Sequence, residues 1–67
     1  MRLMNILVTY VKGAFHLVSS DELVNVSVFL GYRPAQASGA VGSAVRLGLI
    51  EVKDTKTIYG RKINFFC

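Results

Sequence analysis

The residues best equipped for chemistry in this chain are few, and their spacing argues against it. His16 is the single histidine and Cys67 the single cysteine. No cysteine, serine or acid stands at a recognisable catalytic distance from His16, so a structural or surface place is expected for it rather than acid–base work. Cys67, at the last position, reads as an exposed terminal thiol without a function. One cysteine excludes an intrachain disulfide, and one cysteine with one histidine is too few for a structural zinc site of the usual ligands. The glycines at 39, 42 and 48 lack the Gly-Lys-Ser/Thr ending of a phosphate-binding loop. The expectation is a protein that is not an enzyme and uses no cofactor or metal.

What remains is charge. Eight Lys and Arg against four Asp and Glu leave a formal charge of +4 on 67 residues. Such an excess favours a polyanionic partner. Its placement says more than its size. Arg33, Arg46, Lys53, Lys56, Arg61 and Lys62 all follow Tyr32, offset only by Glu51 and Asp54, whereas Arg2 and Lys12 are balanced by Asp21 and Glu22 before it. The first half reads as structure and the second as contact surface.

The elements that must position these cations form one small domain over residues 1–67. The 52% hydrophobic content suits a chain that must be held by packing, within itself or against a partner subunit. Asn5, Thr9 and Lys12 make a narrow polar stripe in an otherwise apolar segment, which predicts a first helix over residues 3–15, ending near Gly13. The β-branched content leaves a strand open there. An apolar surface this wide suits burial on two sides, which points to a homodimer through helix one. The run from Leu3 to Val11 is too short to cross a bilayer, which takes about 20 apolar residues. Lys12-Gly13 interrupts it, and too little chain follows for a cleaved leader, so a cytoplasmic protein is expected.

His16-Leu17-Val18 reads as a short extended link. Ser19-Ser20-Asp21-Glu22 matches a capping box, in which Ser19 accepts from the Glu22 N–H and the Glu22 carboxylate reaches back. A second helix is predicted over 20–30, stopped by Gly31. Val24, Val26, Val28 and Leu30 alternate with Asn25, Ser27 and Phe29, so a strand is the rival, and an all-strand reading of the first thirty residues stays open. Pro34 suits the first turn of a third helix, predicted over 34–47 with Gly48 just beyond it. Its Ala37, Ala40, Val41, Ala44 and Val45 share one face; Gln36, Gly39, Gly42, Ser43 and Arg46 share the other. Leu49 to Lys53 reads as a strand, Asp54-Thr55-Lys56-Thr57 as a polar turn and Ile58 to Phe66 as the returning strand, with a bulge or bend at Gly60. The predicted class is α+β, three helices followed by a two-stranded antiparallel hairpin over 49–66.

Residues 23–42 resemble a helix-turn-helix motif. Gly31 stands in the turn, the small Ser27 four positions before it, and Val26, Leu30, Tyr32, Ala37 and Ala40 at the apolar offsets. Two helices crossing steeply need a tight turn and a contact that a large side chain would block. Leu47-Gly48-Leu49-Ile50-Glu51 followed by a basic hairpin resembles the recognition helix and wing of winged helix-turn-helix regulators, among them small phage or plasmid repressors and excisionase-like factors. The resemblance implies a transcription regulator that binds double-stranded DNA. The third helix would lie in the major groove and the wing on the backbone or minor groove. Carried over, Arg33, Gln36, Ser38, Gly39, Ser43 and Arg46 form the DNA-facing set, with Gln36 suited to an adenine edge and Arg46 to a guanine edge or a phosphate. Lys53, Lys56, Arg61 and Lys62 become phosphate contacts of the wing.

Structural readings stand beside these. Gly39 and Gly42 could serve helix–helix contact instead of close approach to DNA, the lysines could simply keep a hairpin edge soluble, and Tyr59 could stack or bond at the wing but is expected to pack against the core. A dimer would bind a short inverted repeat. The alternative is a winged-helix module that docks a partner protein, which would suit the wide apolar face of helix one and the small residues of helix three.

Overall fold

A computed structural model describes residues 2–67. The order of elements is α1 (Leu3–Gly13), β1 (Val18–Ser19), α2 (Ser20–Phe29), α3 (Pro34–Arg46), β2 (Val52–Ile58) and β3 (Arg61–Phe66). The result is a small α+β domain of three helices and one three-stranded antiparallel sheet. None of these helices is long and apolar enough to cross a membrane.

In α1, Leu3, Leu7 and Val11 recur every fourth residue and are buried, while Met4 and Val8 lie against the same core. Inward packing thus uses most of the apolar surface of α1, leaving Ile6 half-buried and Tyr10 37% exposed. The helix stops at Gly13, short of the expected Phe15, because Ala14 turns extended and its N–H closes on the Val11 carbonyl at 3.3 Å. Phe15 is left fully exposed.

The link after α1 is partly a strand. Val18 pairs with Phe66 and Ser19 with Phe65, which gives the sheet a third strand that the expected two-stranded hairpin lacked. Ser19 then caps α2, its Oγ accepting from the Glu22 N–H at 3.1 Å. The other half of the expected box does not form: the Glu22 carboxylate turns to Tyr10 and His16 instead. Leu23 and Ser27, four residues apart, are the buried positions of α2, so helical period prevails over the valine alternation.

Both later helices end in the same way. Gly31 has φ +95, with the Gly31 N–H bonded to Val28 O and the Tyr32 N–H to Ser27 O, each at 2.9 Å. Gly48 has φ +73, with the Gly48 N–H on Val45 O at 3.0 Å and the Leu49 N–H on Ala44 O at 2.9 Å. These are Schellman closures, which need a left-handed residue at the position glycine fills. They end α2 at Phe29 and α3 at Arg46, one residue before each expected boundary.

The hairpin differs most from expectation. Asp54 to Thr57, expected as the turn, lie inside β2, and the chain reverses at Tyr59-Gly60, with φ of +51 and +78. Two consecutive left-handed residues make the two-residue type I′ turn that matches the twist of paired strands. Gly60 therefore belongs to the turn, and the irregularity of the ladder lies in β2 between Val52 and Asp54. Leu49 belongs to the exit of α3, and regular pairing closes with Glu51 and Cys67 exchanging backbone hydrogen bonds of 3.1 and 3.0 Å. The strands order as β1-β3-β2. Leu7, Val11, Val18, Leu23, Ala44, Ile50 and Phe66 join all three helices and the sheet in one core.

Candidate nucleic-acid interface

The chemistry of α3 follows from which side it buries. Ala37 and Ala44 are fully buried, with Ala40, Val41 and Val45 partly so. The opposite stripe, Ala35, Ser38, Gly39, Gly42 and Arg46, is exposed. At 13 residues and about 1.5 Å per residue, the helix sets Arg33 and Arg46 about 20 Å apart at its two ends. Gln36 is exposed on a flank, but its Oε1 accepts from the Arg33 N–H at 2.8 Å, so the amide NH₂ is what it offers outward. Arg46 Nη2 donates to the half-buried Ser43 Oγ at 3.3 Å.

A cleft of about 340 Å³ separates α3 from the sheet, with Val41, Gly42 and Val45 on the helix side and Val52, Asn64 and Phe66 on the sheet side. It shows which sheet face looks toward α3. Side chains alternate along a strand, so Lys62 shares that face with Asn64 and Phe66, whereas Arg61, Ile63 and Phe65 point to the other. The register sets Lys56 opposite Ile63, and its ammonium sits 5.2 Å from the centre of the Phe65 ring.

The four wing cations are thus not equivalent. Lys62 lies on the sheet face that looks toward α3, two positions along β3 from Asn64. Lys56 covers Phe65 on the far face, and Arg61 Nη2 pairs with Asp21 Oδ1 at 3.3 Å. Lys53 pairs with Glu51 at 3.0 Å, an exposed contact that lowers the Glu51 pKa and raises that of Lys53. Ser38, Gly39 and Arg46 therefore share the exposed stripe of α3, Arg33 stands at its N-terminal end, and Lys62 lies on the sheet face that looks toward it. Gln36 and Ser43 flank that set, while Lys53, Lys56 and Arg61 are held by contacts within the chain. Arg33, Arg46 and Lys62 have no acidic partner among the described residues.

Two features escape sequence reasoning. Tyr59, expected against the core, is fully exposed at the hairpin tip. On the far side of the sequence, the Tyr10 hydroxyl donates to Glu22 Oε2, and His16 Nε2 lies 3.3 Å from the same oxygen. The Tyr10 hydrogen bond is the main cause of a lowered Glu22 pKa; His16 adds to it and burial opposes it. Tyr10 is raised in return by that bond. This cluster ties the end of α1, the link and the start of α2 together, and gives His16 a structural partner.

Comparison with protein-family models, curated proteins and solved structures finds no match. The class of protein rests on geometry and charge.

Proposed function

We propose that this chain is a winged helix-turn-helix module that binds double-stranded DNA, as a small transcription regulator. The observation that carries this reading is the arrangement of α3. It is packed through its alanines, held against α2 across the Gly31 turn, open along its outer stripe, and ended by two cations, Arg33 and Arg46, without acidic partners among the described residues. Helix–strand–helix–helix–strand–strand with a β1-β3-β2 sheet is the connectivity such a module needs to set a hairpin beside its second helix-turn-helix helix. Ser27 supports the α2–α3 contact: it is fully buried, and its hydroxyl donates to Leu23 O at 2.8 Å, so no polar group is stranded there.

In this reading α3 enters a major groove, Arg33 and Lys62 hold phosphates on either side, and Arg46 reaches a base edge or a phosphate. A twofold pair would read an inverted repeat. The apolar area for pairing lies at the C-terminal end of α1, where Phe15 is 106% and Leu17 44% exposed, more than on the outer face of that helix.

Fluorescence anisotropy with labelled duplexes across salt concentrations tests the proposal. Each neutralised phosphate contributes a slope of about 0.9 to the fall of log affinity with log salt. Lys62→Gln should lower the slope by about that amount, and Lys56→Gln by clearly less. Arg46→Gln should also change which duplex is preferred. Salt-independent binding, or none, refutes the proposal. A protein-docking module is the second reading, favoured by Phe29 at 89% and Leu47 at 65% exposure. Capture of a defined protein after nuclease treatment, lost in Phe29→Ser, together with no affinity for DNA, would favour it.

A further inference from the structure

β2 is the open margin of the sheet. The strands order as β1-β3-β2, so β2 is paired on one side alone, and all seven of its residues are exposed. The hairpin decides which of its backbone groups are free. Ile58 and Arg61 flank a two-residue turn, which makes them a hydrogen-bonded pair. Alternation then aims the N–H and C=O of Ile58, Lys56 and Asp54 at β3, and those of Thr57 and Thr55 away from it. The Thr55 N–H accordingly finds its acceptor in the Asp54 carboxylate, at 2.9 Å, rather than in β3.

Lysines and bulges ordinarily guard such an edge, and β2 carries Lys53, Lys56 and an irregular step between Val52 and Asp54. What these charges exclude depends on register. Two copies related by a twofold axis set one residue of β2 opposite itself, since facing residues must project to the same side of the sheet. Centred on Asp54, the pair opposes two carboxylates; centred on Lys56, it opposes two ammonium groups. Both clashes fall at non-hydrogen-bonded positions, where side chains are closest. Centred on Thr55, each Asp54 faces a Lys56, and Lys53 meets the uncharged Thr57. Centres nearer either end leave less than half of β2 paired. The charges that repel other registers select this one.

We propose that β2 pairs antiparallel with β2 of a second copy, centred on Thr55, so that two sheets become one. The two Thr55 residues exchange N–H···O=C bonds. Each Asp54 carboxylate, released from its own Thr55, turns to the Lys56 of the other copy. The axis stands normal to the sheet, so both α3 helices lie on the same side of it. This inference goes beyond the DNA-binding reading and does not rest on it. The exposed apolar end of α1, with Phe15 and Leu17, is the rival seat for a second copy, but nothing there selects a register or an orientation.

Sedimentation equilibrium of the full chain, without DNA and at concentrations up to about 1 mM, tests it. One strand a side makes a small interface, so wild type should form a reversible, concentration-dependent dimer. Asp54→Lys and Lys56→Asp should each weaken it about ten-fold, because both cross-strand charge pairs become repulsive. Mixed in equal amounts, the two variants should associate with each other as tightly as wild type does with itself. The double swap Asp54→Lys/Lys56→Asp should regain the homodimer. Thr55→Pro should abolish it while keeping the fold by circular dichroism, since an edge strand tolerates proline where the N–H faces away from the sheet. The charge variants carry the test if that one unfolds. Phe15→Ser should leave the dimer unchanged. A chain that is monomeric at every concentration overturns the proposal. So does a dimer that Phe15→Ser destroys, or a pair of charge variants that fail to associate when mixed. Duplex affinity is a separate measurement, so none of these outcomes bears on the DNA-binding reading.

Discussion

Gly39 and Gly42 stand on the exposed stripe of a 13-residue helix, and neither has a positive φ. A methyl group built at either position meets nothing within 4 Å. Packing inside the domain therefore does not require them. Each costs the helix about 0.5–1 kcal/mol relative to alanine, through backbone entropy lost on folding. The double substitution Gly39→Ala/Gly42→Ala should then stabilise the domain by about 1–2 kcal/mol. For a domain of this size, about 4–8 °C of melting temperature accompanies each kcal/mol, so a rise of about 4–16 °C is expected. Thermal unfolding followed by far-ultraviolet circular dichroism measures it, with urea unfolding as a check that the slope against denaturant is unchanged. The same two methyl groups would stand between α3 and a groove, so DNA affinity should fall while stability rises. An unchanged or lower melting temperature would refute the reasoning, since it would mean that the glycines serve a packing or backbone need that the open surroundings deny.

Two further outcomes follow from the start of α2. Ser19→Ala removes the acceptor of the Glu22 N–H and should cost about 1 kcal/mol, read as a fall of about 4–8 °C. Tyr10→Phe bears on pH. Glu22 is lowered from 4.5, so its contribution is present above that pH and is lost as pH falls through the folded value. Tyr10 is raised from 10.0, so its contribution is present below that pH and is lost as pH rises through the folded value. Melting temperatures across pH should therefore lose part of their decline at both extremes in Tyr10→Phe, with the plateau between lowered. A variant whose acid and alkaline limbs match wild type would show that the bond carries no linkage.

Signals that act within a few residues were legible. Ser19 before two acids, Pro34 in a first turn, and glycines at 31 and 48 mark helix ends because the groups they satisfy are nearby in the chain. Those ends lie within one residue of expectation for α2 and α3. The alanine–valine side of α3 was legible for the same reason, and with it the exposure of Gln36, Ser38, Gly39 and Arg46, though Ser43 is half-buried. The Tyr59-Gly60 reversal was not, since propensity argues against tyrosine at a left-handed φ and the threonines around Asp54 imitate a polar turn.

Residue order by itself determined where α2 and α3 begin and, to within one residue, stop, and which side of α3 is apolar, since backbone capping and helical period are local. Only the tertiary structure decided that Val18-Ser19 joins the sheet, that Glu22 faces Tyr10 and His16, and that Lys62 lies on the sheet face toward α3 while Lys56 and Arg61 lie on the other. Each depends on strand register or on segments far apart in the chain. A shift of one residue in register reverses every side chain of a strand, and no local pattern sets it.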